Sequence, residues 1–597
     1  MLRLRLLSLL LAGTSVLLPG AEPFLEVSRE DAVRAVGTLE QNSTDVSMWI
    51  WADKYVYRPG EQLTLRGTIK PNGDQSPYTL VAYRTNNQTG ERSYLPGGGA
   101  DATDIFGNTL EQGFRIVRVS GLEKAVLVGD GGAVVPAAVS IPEEFGMHTL
   151  TVEVRDFTGG RVLKAAYFKI GVVRGTVELT GNIEANRTLA NDQAYIVRGV
   201  VAVRNNAVLT IEPGTFLFGQ TGSQPPSVLL ITRTGRINAS GTRARPIIMT
   251  SRLPESPTGS RRRGDWGGLL MLGSAPGNVP AAQSFIEGLT QSPDTQWGGT
   301  DTNHNCGTVR YVRSEYAGVQ LSPNNETNNF VWAGCGRATV AEYLQSYYGN
   351  DDAFEWFGGT SNAKYLVATY AEDDNLDFQL GWTGSVQHFV ALQNPADRGN
   401  RGIEGDNSEF DNTATPWSNP TIFNLTLVGS GEAGSSEPVS PGIYLRRGAR
   451  ATVNNAVVTN WSSPGLFIDG APTQAQIDNN ETKMNGIILW GNSRGTANAP
   501  ATLAGQVNST DVTFAEGTRG QGRRFLAMNP MLRRALEWSD PDFRPAMGSP
   551  VLQPRWICPP DNGFFDQNAC YPGAFLDRDW TEEWTIYHRS VDVEAQP

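Results

Sequence analysis

The 597-residue chain carries 61 acidic against 49 basic side chains, a net charge of −12, with 66 glycines and 35 prolines. An acidic balance of this size excludes a nucleic-acid-binding face, which displays a basic patch, and leaves metal cations and neutral or cationic ligands as candidates. Its apolar runs are short and alternating, punctuated by glycine and proline, and they predict an all-β chain.

Residues 1–21 pair Arg3 and Arg5 with an apolar stretch from Leu6 to Leu18 and small residues at Gly20 and Ala21, the pattern of a secretory signal peptide. That stretch is shorter than the roughly 20 apolar residues of a spanning helix. No later segment is longer, so the mature chain is expected without a membrane span and either secreted or held at the cell surface. Residues 22–46 read as a linker. "WIWADKYVYRPGEQLTLRGTI" then opens alternating strands around a turn at Arg58-Pro59-Gly60, and "GMHTLTVEVRDFTGGRVLKAAYFKIGVV" closes the segment with two more. Residues 47–173 are therefore expected to form a β-sandwich. "DKYVYRPGE" resembles the opening motif of macroglobulin-type domains, which implies an immunoglobulin-like sandwich with no catalytic role.

From Thr176 the strands shorten and glycine and asparagine punctuate them. Shifting the chain by 22 residues lays Tyr343 on Tyr365, Asp351 on Asp373, Asp352 on Asp374, Trp356 on Phe378 and Gly359 on Gly381. "RYVRSEYAG" matches "EYLQSYYGN" at a shift of 32, and "GIYLRRG" matches "GLFIDG" at about 23. Repeats of this size predict a β-solenoid over residues 176–555, of roughly a dozen coils. "LTIEPGT" and "INASGTRARPIIMTS" resemble phrases of right-handed parallel β-helices of the pectate-lyase-like fold. The stretch from "GDWGG" to "YPGAFLDRDWTEEWT" resembles a family of exported β-helix proteins of Gram-negative bacteria. That resemblance implies an all-β chain, a right-handed parallel β-helix preceded by an immunoglobulin-like sandwich, and a cell-surface address without an assigned reaction. Residues 556–597 are expected to cap the helix.

Four cysteines, Cys306, Cys335, Cys558 and Cys570, allow three pairings, of which the simplest joins 306 to 335 and 558 to 570. No Cys-x-x-Cys spacing occurs and the four histidines are scattered, which argues against a zinc cluster or redox pair.

In a parallel solenoid, residues one period apart stack at about 4.8 Å. Asp351 is then expected over Asp373 and Asp352 over Asp374, with Glu355, Glu372 and Asp377 nearby and Glu404 and Asp406 extending the ladder. Two carboxylates at that distance repel by about 1 kcal/mol in water and about 3 kcal/mol at an effective dielectric of 20. Calcium, which accepts six to eight oxygen ligands, would compensate them. Asp351, Asp352, Asp373, Asp374 and Asp377 are the candidate ligands. The same aspartates also suit solvated turns in which they cap backbone amides. Aromatic residues crowd these coils, most expected inside and a few outside, where a ring can stack on a sugar.

Several polysaccharide lyases and hydrolases share the β-helix, and the resemblance implies a basic residue that takes a sugar proton. Lys364, His388, Arg398 and Arg401 are the basic residues near the ladder, and charge balance for the acids explains them equally well. Asp352 and Asp374 also suit the separation of about 5 Å of a retaining glycosidase pair. Two functions follow: a surface binding or structural protein directed at polysaccharide or the cell envelope, or a calcium-dependent polysaccharide lyase or glycoside hydrolase.

Overall fold

The computed structural model describes residues 46–587 except 72–77, 96–113, 118–124, 127–138, 156–160, 224, 254–260, 323–324, 394–399, 432–439, 494–506, 509–524 and 555. The signal-peptide segment and Arg398 lie outside the described residues.

The N-terminal portion is antiparallel. Val46–Ala52 pairs with Leu65–Pro71, and Gly146–Arg155 lies between Tyr78–Asn86 and Val162–Val172. The alternating side chains of these strands meet in one core that includes Trp51, Leu150 and Phe168. Ile196, Phe216 and Ile248 join that core from the following coils, so the antiparallel sheets rest directly on the outside of the first turns of the solenoid.

From Thr176 onward, 24 strands form one parallel sheet that winds coil upon coil. Its register is the one read from the internal repeat. Leu344 pairs with Leu366 and Trp356 with Phe378 at a shift of 22, Arg310 with Glu342 at 32, and Tyr444 with Phe467 at 23. Inward side chains stack from coil to coil: Trp332 on Trp356 at 4.8 Å and Trp356 on Trp382 at 4.6 Å, all fully buried. Stacked rings with no polar atom left in water are what such a core favours. Both disulfides join the cysteines nearest in sequence, Cys306 to Cys335 and Cys558 to Cys570.

One ladder of long strands, Gly307–Glu315, Val340–Tyr347, Asn362–Thr369, Ser385–Leu392, Thr421–Val428, Thr452–Thr459 and Lys483–Trp490, bends in the middle of every member. Tyr311, Tyr343, Tyr365, His388, Asn424, Asn455 and Gly486 stack at the bend, all with φ between 48° and 68°. Such a φ is uncommon outside glycine, asparagine and histidine. Here the tyrosines adopt it with their rings stacked 4.3 Å apart, and His388 continues the stack on Tyr365 at 4.7 Å.

The C-terminal segment was expected to close the end of the helix. It runs instead along the flank, over this bent row. Asn455 Nδ2 donates to the Ile557 carbonyl (2.6 Å) and Asn424 Nδ2 to that of Ala569 (3.0 Å). Gln387 exchanges hydrogen bonds with the backbone of Asp566 and Gln345 with that of Ile586, while Arg313 Nη1 donates to the Trp584 carbonyl. The physical reason is that outward amide side chains on four of the coils, with Arg313 on a fifth, match the donors and acceptors of a backbone running across them. At its far end the segment meets both the first coils and the N-terminal sheets. Glu582 pairs with Arg243, just after the coil strand Arg236–Ser240, Glu583 reaches Lys169 (3.8 Å), and Asp540, upstream, accepts from Lys164 and from the Met48 amide.

Candidate metal centre

A second ladder, of short strands, carries the acidic residues. Its members include Leu269–Leu272, Phe330–Ala333, Phe354–Phe357, Asp377–Gln379, Ile403–Asp406, Ile443–Arg446 and Leu466–Ile468. Alternation sends Trp356, Phe378 and Leu445 inward and leaves one outward row reading Val331, Glu355, Asp377, Glu404, Tyr444, Phe467. Along this face the character changes in three steps. The early coils are apolar and are covered by Ile286 and Trp297 of the excursion between Leu272 and Gly307. Acids follow, and after them come arginine and aromatic side chains.

At the corner before each short strand, Asn328, Asp352, Asp374 and Arg401 fall in line. Asn328 Oδ1 accepts from the Asp352 amide (2.8 Å), Asp352 Oδ1 from that of Asp374 (2.9 Å), and Asp374 Oδ1 from that of Arg401 (2.9 Å). Each acid thus caps the next coil with one oxygen, which accounts for aspartate or asparagine at the corner. The remaining oxygens divide the site in two. On the later coils Arg401 Nη1 reaches Asp374 (3.4 Å) and Glu404 (3.2 Å), Arg446 Nε reaches Glu404 (3.0 Å) and Asp406 (2.8 Å), and Arg447 holds Asp406 (2.7 Å). On the earlier coils, among the described residues, no lysine or arginine comes within ion-pair distance of Asp351, Asp352, Glu355 or Asp377.

Instead these four gather with Asp373. Carboxylate oxygens of Asp351, Asp352 and Asp373 lie within 4.8 Å of one another, as do those of Asp352, Glu355 and Asp377. Gln379 Nε2 donates to Glu355 (3.1 Å), and Asn328 Nδ2 bonds Glu355 and reaches Glu287 (3.3 Å). Burial, and after it neighbouring acids, hold Asp351, Asp352, Glu355 and Asp377 well above the usual carboxylate range. Asp374 is pushed up only to about 6, because Arg401 opposes its burial. Glu287 is pushed up to about 8 by burial and by Glu326. Carboxyl groups in this state keep a proton unless a cation replaces it.

Four of the five candidate ligands, Asp351, Asp352, Asp373 and Asp377, therefore converge, whereas Asp374 turns toward Arg401. Glu355, expected only nearby, is a full member. Glu287 belongs to the excursion, and no repeat in the sequence marks it. The candidate bases fall elsewhere. Lys364 lies over the Phe564 ring at 4.7 Å, and His388 is 3% exposed beneath the C-terminal segment, both on the bent ladder. Burial lowers His388 to about 4. Arg401 is locked between Asp374, Glu404 and the Tyr444 ring (4.8 Å).

A long parallel sheet winding coil upon coil is the architecture of pectate-lyase-like β-helices. The chain belongs to that family, since the model of the pectate-lyase like beta helix domain matches residues 181–526. No curated protein matches the chain. Among solved structures, Spo0M, a sporulation control protein from Bacillus subtilis, is similar at 13% identity with a TM-score of 0.14, over 21% of this chain and 49% of that one. The chain thus spans about half of that protein, and so weak a likeness carries no argument.

Proposed function

We propose that this is a secreted or cell-surface β-helix protein of the kind exported by Gram-negative bacteria, which binds polysaccharide or an envelope component along its acidic ladder, with calcium held by Asp351, Asp352 and Asp373. In this reading the N-terminal sheets are a macroglobulin-type, immunoglobulin-like sandwich. The family supports a polysaccharide-related role. One observation carries the reading: the outward row runs from an uncompensated acidic pit to Tyr444 and Phe467, with Arg446 beside them, on consecutive coils of one face. Rings, arginines and a bound cation in a line suit an extended chain of sugars, particularly one bearing carboxylates.

A calcium-dependent lyase or glycoside hydrolase is the second reading, and Glu287 favours it, because a carboxyl group kept protonated near neutral pH is what a general acid requires. Lys364 and His388, on the other ladder, and Arg401, held in ion pairs, weigh toward binding. Purified protein incubated with acidic and neutral polysaccharides, in calcium or in chelator, separates the two. Calcium-dependent retention without new reducing ends or unsaturated products supports binding. Product formation would replace it with the enzyme, and neither retention nor product with any polysaccharide would remove both.

A further inference from the structure

The acidic pit is larger than one ion can serve. Ligands of a single calcium sit at about 2.3–2.6 Å from it and so no more than about 5 Å apart. Each of the two carboxylate trios meets that limit, and they share only Asp352. Asp351 and Asp373 are half-buried at the rim, whereas Glu355 and Asp377 are 2% and 7% exposed on the strands behind. An ion between Asp351, Asp352 and Asp373 would leave the inner pair uncompensated. A separate feature points to an inner ligand: Asp377 Oδ1 is buried with no hydrogen-bond partner among the described residues. An unpaired buried carboxylate oxygen is costly, and Gln379, its nearest amide, reaches only the other oxygen of Asp377 (3.4 Å).

Resting on the calcium reading above, we propose that the pit holds two divalent cations, the second bound by Asp352, Glu355 and Asp377 behind the first, with Asp352 bridging them. All the protein donors are carboxylate oxygens, which selects a hard cation such as calcium over zinc or copper. Two such ions would leave the five carboxylates with one net negative charge. The inner ion ties three segments together, since Glu355 and Asp377 belong to successive coils and Asn328, bonded to Glu355, reaches the excursion through Glu287.

Calcium titration of the chelator-stripped full chain by isothermal calorimetry tests this, with melting curves in chelator confirming that each variant is folded. Two calcium ions per chain are expected. Glu355→Gln should leave one ion, Asp351→Asn should leave one, and Asp352→Asn should weaken both at least tenfold. One ion in the native chain, unaffected by Glu355→Gln and lost in Asp351→Asn, would overturn the inner position while leaving the outer calcium intact. No calcium uptake at all would overturn both, and one ion lost in Glu355→Gln but not in Asp351→Asn would overturn the paired arrangement.

Discussion

On the flank crossed by residues 556–587, Gln345, Gln387, Asn424 and Asn455 are fully buried, and each has a backbone group of the C-terminal segment as partner. On the acidic ladder the outward carboxylates are buried or half-buried, yet among the described residues close arginine partners hold Glu404 and Asp406 of the later half, through Arg401, Arg446 and Arg447, and none reaches Asp351, Asp352, Glu355 or Asp377. The two faces are built from the same coils with the same stacking. The difference teaches that the buried amides of the flank and the later acids of the ladder are matched from within, by a crossing segment in one case and by arginines in the other. Where the chain supplies neither, space is left for an outside group.

Stopping the chain before residue 556 should have the largest effect, because Trp580 and Trp584 pack edge-on against the stacked tyrosines. An indole buries about 150–250 Å², worth several kcal/mol at about 25 cal/mol per Å². The truncated protein should lose more than about 5 kcal/mol and unfold without a single sharp calorimetric transition. An unchanged melting curve would show that the flank does not need its cover.

Arg401→Gln makes the compensated half resemble the uncompensated one. Removing one partner of a buried ion pair costs about 3–5 kcal/mol, so denaturant unfolding in chelator should show a loss of that order. His388→Asn probes the other face. With its pKa lowered from 6.5 to about 4 by burial, His388 is protonated in the unfolded chain before the folded one, so its stability contribution is present above pH 6.5 and is lost as the pH falls toward 4. That loss amounts to about 3 kcal/mol by pH 4. Asparagine occupies the same position on the next two coils, so the variant should match the parent at pH 7.5 and exceed it at pH 4.5 in urea unfolding.

The smallest shift belongs to the cation. A ligand at a hundred times its dissociation constant stabilises by about 2.7 kcal/mol, a rise of several degrees in melting temperature. Asp352→Asn keeps the capping oxygen for the Asp374 amide but removes charge, so it should abolish most of the calcium-induced rise. A full rise in that variant would take Asp352 out of the site.

The stacking was legible because one coil repeats another at 22 residues, and the same shift is the hydrogen-bonded register of the strands. It placed Asp352 and Asp374 on one corner and could not tell that one would face Arg401 and the other open space, since Arg401 sits 27 residues on, beyond a longer loop. Glu287 was invisible for a related reason: its excursion has no counterpart in other coils. Tyr343 and Tyr365 were legible as a matched pair, but periodicity says which side chains stack, not what covers them. Residues 556–587 have no period at all, and their path follows only from the row of amides beneath.

The hydrogen bond from the Met48 amide to Asp540 joins positions 492 residues apart. Closing so long a loop has a high entropic cost, and a topology rich in such closures folds slowly. Neighbouring coils, by contrast, add one at a time with only local ordering. Assembly therefore has a built-in sequence in which the solenoid zips first and the flanking segment is sewn down last, so a ribosome must have released the chain through Asp540 before the strand Val46–Ala52 acquires its final neighbours.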